Sequence, residues 1–164
     1  MTAVIAGAAF YEVVLAVHIM AVVVAFGVTF AYPIMFALTA KHEPRSLPLM
    51  HRVATAIDRM LVNGGLVVVL AAGAYLASKG HSWSEFFVQW GLGAVLVIGA
   101  LVGAVMIPTG KRARALAERD LEASGDGEIV FSAEYQAVVR RLQAVGSLLS
   151  GLVLLTILFM AIQP

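Results

Sequence analysis

Read by hydropathy, the chain alternates four long apolar stretches with short polar connections. Val13–Ala40 runs 28 residues without Asp, Glu, Lys or Arg, Met60–Ser78 runs 19, Phe86–Gly110 runs 25 and Leu142–Pro164 runs 23. An α-helix rises about 1.5 Å per residue, so roughly 20 residues cross a hydrocarbon core about 30 Å thick. Each stretch reaches the ~18 apolar residues that mark a spanning helix. Irregular backbone facing lipid would leave N–H and C=O groups without partners, so the spans must be helical. The pattern predicts an all-α polytopic membrane protein, a bundle of four transmembrane helices that makes residues 1–164 a single domain.

The basic residues orient this bundle. Lys41, Arg45, Arg52 and Arg59 flank the connection between the first two helices, and Lys111, Arg112, Arg114, Arg119, Arg140 and Arg141 that between the last two. Only Lys79 falls on the opposite side, and positive residues near helix ends mark the cytoplasmic face. Both termini are therefore expected outside. Residues 111–141 form the one sizeable polar segment and are expected to make a cytoplasmic helical hairpin. Lys111–Ala123 extends helix three, Ser124-Gly125-Asp126-Gly127 breaks it, and Ser132 caps the next helix with Glu134 in its first turn.

Composition narrows the function classes. At 61% hydrophobic and 13% charged, against about 25% charged in a soluble domain, the chain is neither a soluble enzyme nor a disordered tail. A formal net charge of +1 gives no field for nucleic acid, and the absence of cysteine excludes disulfides and thiolate metal sites. The residues from Met1 to Gly7 carry no basic region, so helix one is expected to stay as its own insertion signal rather than be cleaved. No nucleophile, base and orienting residue recur at compatible depth, which argues against a hydrolase.

Helices in lipid associate through small residues that let backbones approach. Gly99 and Gly103 form a GxxxG, Gly146 pairs with Ser150 and Ser147 with Gly151, while helix two carries Gly64, Gly65 and Gly73. These patterns suit the bundle itself or a homo-oligomer such as a homodimer.

Ionisable residues at depth are few, and each is costly there, which makes it a candidate site. His18 lies eight residues inside Phe10, about 12 Å into the membrane at 1.5 Å per residue. Tyr11, His18, Ala25, Thr29 and Tyr32 share one face of helix one, and Ala21 and Ala25 leave room there for a planar ligand. The plainer reading is a neutral His18 hydrogen-bonded to a neighbouring carbonyl or to Thr156. A haem on His18 would be five-coordinate, completed by a distant methionine such as Met160, or shared between two His18 across a dimer. His81, Glu85 and Glu12 meet at the opposite membrane face as a weaker transition-metal candidate. His42 and His51 are expected to be solvated, and Asp58 with Arg59 to form an interfacial pair or to orient helix two. His51 and Asp58, seven apart, share a face, which suggests local bonding. Trp83, Trp90 and Tyr75 read as an aromatic belt.

A resemblance adds to these readings. Ile57-Asp58-Arg59-Met60-Leu61 followed by Gly64-Gly65-Leu66 resembles the start of helix two in a bacterial family of predicted integral membrane proteins of unknown function. Gly73-Ala74-Tyr75-Leu76 with Gly80 and Trp83, the run from Lys111 to Ala117, Glu134-Tyr135 with Arg140-Arg141, and the ending from Met160 to Pro164 extend the likeness over nearly the whole chain. That family is in turn similar to copper-resistance-D-like membrane proteins and to membrane protoporphyrinogen oxidase. In those, a first-helix histidine precedes an aromatic residue and glycine, matched here by His18 through Phe26-Gly27, with Ala25 at the usual tryptophan and Val28 at the second glycine. The resemblance implies a bacterial inner-membrane protein that binds haem b or a related porphyrin through His18, in redox or tetrapyrrole handling.

The alternative is a non-enzymatic accessory subunit beside a membrane partner protein, or a small oligomeric channel or transporter. Its support is the glycine-rich helices. Against transport, the sequence shows no helix broken at mid-depth and no intramembrane carboxylate to couple a cargo.

Overall fold

The computed structural model describes residues 2–80, 82–125 and 127–163, with side chains from Ala9 onward. It is all-helical, with no strand among the described residues. Four helices are long and apolar enough to cross a membrane: Ala9–His42, Pro44–Gly80, Phe86–Ser124 and Ala133–Ile162. The third, at 39 residues, is about 58 Å long at 1.5 Å per residue, nearly twice a hydrocarbon core. Much of its length therefore projects beyond the membrane, at the end of the bundle where the basic residues cluster, here called the basic end.

The long helices are not uniform. Helix one comprises α1 (Thr2–Gly27), a 3₁₀ turn at Val28–Ala31 and α2 (Tyr32–His42). Helix two, after a short 3₁₀ turn at Pro44–Ser46, comprises α3 (Leu47–Ile57), a π-helical turn at Asp58–Val62 and α4 (Asn63–Gly80). Helix three is α5 (Phe86–Leu101), a second π-turn at Val102–Met106 and α6 (Ile107–Ser124), and helix four is α7 (Ala133–Ile162). Two of these irregularities lie just before a proline. Pro33 and Pro108 sit at the start of α2 and α6, where their missing N–H removes a bond to the carbonyl four residues back. The helices are unbroken at these turns. Three of the four run continuously but change geometry at one level.

Two cores result. Ala25, Phe26, Val62, Leu66, Val69, Val95, Ile98, Val102 and Val153 bring all four helices together within the apolar layer. A second cluster at the basic end joins Leu47 of α3 to Ala113, Leu116 and Ala117 of α6 and to Tyr135 and Val138 of α7, with Phe36 packed alongside. The segment 111–141, where a hairpin is expected, has one face buried in protein. Outward-facing Ile19, Val23, Leu96 and Leu158 stay exposed, as suits side chains that meet lipid.

The α1–α4 contact is the closest. A Cβ on Gly65 would stand 2.5 Å from the Cβ of Ala25, which is fully buried. Gly65 of helix two thus serves packing within the chain, as does Gly73 beside His18. In the GxxxG of helix three, Gly99 meets Leu66 while Gly103 meets nothing within 4 Å, so the motif is not a close seam inside the bundle.

Polar bonds tie off the hairpin. Asp120 accepts from the Ser132 backbone N–H at 2.8 Å and from its hydroxyl at 2.7 Å. Ser132 Oγ in turn accepts from the Tyr135 N–H at 3.2 Å, the N-cap expected from sequence. Arg119 reaches Asp120 at 3.0 Å and Glu134 at 3.3 Å, and Arg112 reaches Glu134 at 2.8 Å. Gly125 closes α6 at φ 54° and ψ −130°, a region that side chains rarely enter. Arg45, from the other helical connection, donates to the Gly125 carbonyl at 2.8 Å.

Candidate functional site

Between the two cores lies a cavity of about 680 Å³. Phe26, Val62, Ile98 and Val102 of the first core form one side, and Phe36 and Leu142, packed on the second core, line it from the basic end. Three of the four irregular turns border it, through Thr29, Asp58 and Val102. A π-turn in an otherwise α-helical segment is frequent at functional sites.

Its polar groups come from several elements. The Tyr32 hydroxyl of α2 donates to Asp58 Oδ1 at 3.1 Å. Asp58 is 7% exposed, and its second oxygen has no partner among the described residues. No enclosed side-chain nitrogen or oxygen is left unsatisfied among the described residues, so that oxygen is accessible, and Asp58 is one of the residues that line the cavity. The expected Asp58–Arg59 pair is absent among the described residues, and Tyr32 takes Arg59's place. Thr29 and Thr55 spend their hydroxyl protons on the carbonyls of Phe26, at 2.6 Å, and His51, at 2.8 Å. Their oxygens remain acceptors toward the cavity they line.

His51, expected to be solvated, is 3% exposed. The α3 face bearing Leu47, His51, Ala54 and Asp58 repeats at steps of four, three and four, so all four turn inward together. His51 Nε2 lies 3.0 Å from the Tyr135 hydroxyl, and its ring stacks against Phe36 with centroids 4.7 Å apart. It stands beyond the apolar stretch of helix two, and burial pushes its imidazole down to about 4. At neutral pH it is uncharged. Of the residues lining the cavity, Asp58 alone carries formal charge.

The face of helix one singled out from sequence divides between two places. Thr29 and Tyr32 line the cavity. His18 lies toward the other end, with Nδ1 3.1 Å from the Val69 carbonyl and Cε1 3.2 Å from where a Cβ on Gly73 would stand. Since a carbonyl only accepts, Nδ1 carries the proton, and Nε2 is an acceptor with no partner among the described residues. The bond to a neighbouring carbonyl is the plainer of the two expectations. Thr156 is instead bonded by Trp90 at 3.2 Å. The room expected beside Ala25 is filled by the backbone at Gly65, and Met160 packs against Gly91. Tyr11 makes no side-chain hydrogen bond among the described residues. Glu12 and Glu85 are exposed, His81 lies outside the described residues, and no metal-binding group of three is found among the described ones.

Over residues 12–164 the chain matches the family described as predicted integral membrane protein (DUF2269). It belongs to this family. For this DUF2269 chain the matched range takes in every cavity-lining residue. No curated protein and no solved structure matches it.

Proposed function

We propose that this integral membrane protein takes up a small amphipathic molecule in the cavity between its two cores. The cavity itself carries the reading. Its 680 Å³ falls within the roughly 300–1,000 Å³ of ligand pockets, and its mainly apolar wall with a few polar groups has their usual character. It is closer to the binding or transport alternative than to a soluble-type active site. The test is native mass spectrometry of the detergent-purified chain with and without Gly146→Phe. Gly146 lines the cavity, and a Cβ placed on it would stand 4.0 Å from its nearest neighbour, Met106. A bound mass retained by the wild type and absent from the variant supports the reading, whereas an unchanged bound mass refutes it.

A second reading places haem b or a related porphyrin on His18. Its support is the tautomer, because metal-bound histidines nearly always donate their other N–H to a carbonyl or carboxylate. His18 Nε2 is free for that role. Ala25 packs on Gly65 and Met160 on Gly91, so of the three arrangements the one shared between two His18 across a dimer suits this reading best. An absorption spectrum before and after dithionite decides it. A haem band lost in His18→Ala supports the reading, and a colourless chain that stays so after haem addition sinks it.

A further inference from the structure

We propose that the cavity is selective for a lipophilic organic cation, an ammonium or comparable onium group on an apolar body, seated against Asp58. The inference rests on the cavity reading and supplies its ligand class.

Charge balance comes first. A carboxylate offers about four acceptor directions, and Tyr32 fills one of them. The nearest basic residue in sequence, Arg59, makes no bond to Asp58, and no Lys or Arg lines the cavity among the described residues. His51 is neutral and held by Tyr135. A buried, half-bonded carboxylate with no cation beside it is expensive, because desolvation is not repaid. A positively charged occupant repays it, as a proton taken up by the carboxyl also would, whereas an anionic occupant adds to the cost.

The remaining groups agree in sign. Thr29 and Thr55 have already donated their protons inward and present oxygen. Pro33 has no N–H to return to the Thr29 carbonyl. Phe26, Phe30, Phe36 and Tyr32 line the same space, and aromatic faces attract cations, most strongly where water is excluded. The wall then fixes the body of the occupant. Ile98, Val102, Met106 and Leu142 are apolar, so a bare hydrated metal ion would forgo most of the available contact. An organic cation uses both parts.

The experiment uses two ions of one shape and opposite charge, tetraphenylphosphonium and tetraphenylborate, in equilibrium dialysis against the full chain in nanodiscs, corrected for lipid partitioning. The expected result is at least tenfold tighter binding of the cation. Asp58→Asn should cut the cation's affinity tenfold or more and leave the anion's unchanged or improved. Tyr32→Phe, which keeps the carboxylate, should retain most of it. Should Asp58→Asn fail to fold, the wild type answers instead: tetraphenylphosphonium should protect Asp58 from carbodiimide modification and tetraphenylborate should not. Equal binding of both ions, abolished by Gly146→Phe, overturns the cation selectivity and leaves the cavity reading standing. Binding of neither ion, or binding indifferent to Gly146→Phe, overturns both. Displacement of the phosphonium by millimolar sodium in the wild type but not in Asp58→Asn assigns the site to an inorganic cation and overturns the proposal.

Discussion

Gly64 and Gly65 are neighbours in sequence and opposites in environment, which makes them a controlled test of what joins helices one and two. A Cβ on Gly64 meets nothing within 4 Å, while one on Gly65 falls 2.5 Å from Ala25 Cβ and 3.4 Å from its Cα. Carbon atoms settle at about 3.5–4.0 Å, so Gly65→Ala must push the helices apart by roughly 1–1.5 Å. Neither neighbour can bend away, since both atoms sit on or next to the backbone of α1. Overpacking of this kind costs about 1–3 kcal/mol. Both substitutions also gain about 0.5–1 kcal/mol from replacing glycine within a helix, and that gain cancels on comparison. The difference between the two variants is therefore the overlap itself, about 1–3 kcal/mol, with Gly64→Ala neutral or slightly stabilised. Equilibrium unfolding in mixed micelles with increasing dodecyl sulfate measures it. Adding Ala25→Gly to Gly65→Ala should recover most of the loss, because it deletes the other half of the clash. Equal stability of the two alanine variants, or no recovery in the double variant, would refute the assigned contact.

Three further outcomes follow from the polar contacts. Ser132→Ala removes the N-cap of α7 and a donor to Asp120, and should cost about 1 kcal/mol, with faster amide exchange over residues 127–135. The Asp120 carboxyl lies beyond the membrane-crossing stretch of helix three, and although burial raises it, the bonds from Ser132 and Arg119 hold it below its ordinary value. Its contribution is present above the unfolded carboxylate value of about 4 and lost as pH falls through the lower folded one. A spin label at Glu128→Cys, the sole thiol in a cysteine-free chain, should stay restricted from pH 8 to 5 and loosen only below about 4; loosening already near pH 6 would contradict the assignment. His18→Ala removes the bond to Val69 and should destabilise by about 0.6 kcal/mol, the average for such bonds in a membrane, whether or not a cofactor binds; an unfolding midpoint equal to wild type would show that the bond does not form.

Hydropathy and charge spacing were enough to read the four spans, the extension of helix three and the Ser132 cap, because these depend on residues close in sequence. The site was less legible. His51 and Asp58 had the right signal, an inward face repeating through Leu47 and Ala54, but their polarity and nearness to Arg52 and Arg59 argued for water. Their recorded neighbours are distant in sequence, Phe36 and Tyr135 against His51 and Tyr32 against Asp58. The Ala25 position failed for a related reason. A small side chain implies space for something, and only the partner helix shows that the occupant is the backbone of Gly65 rather than a ligand.

The π-turn in helix three has a consequence for how tightly residue number is constrained. Ile98, Val102, Met106 and Gly110 all line the cavity, recurring at every fourth position. On an uninterrupted α-helix, twelve residues overshoot three full turns by about 120°, and Gly110 would point away from the side that Ile98 faces. The wider turn at Val102–Met106 absorbs that overshoot, acting as a vernier between the membrane portion and the basic end. Removing a single residue there would leave a continuous, well-bonded helix and swing everything beyond it by roughly 100°. Gly110 would leave Thr55, and Ala113 and Ala117 would leave Leu47. A deletion that spares every named contact group would thus dismantle the second core by dephasing it.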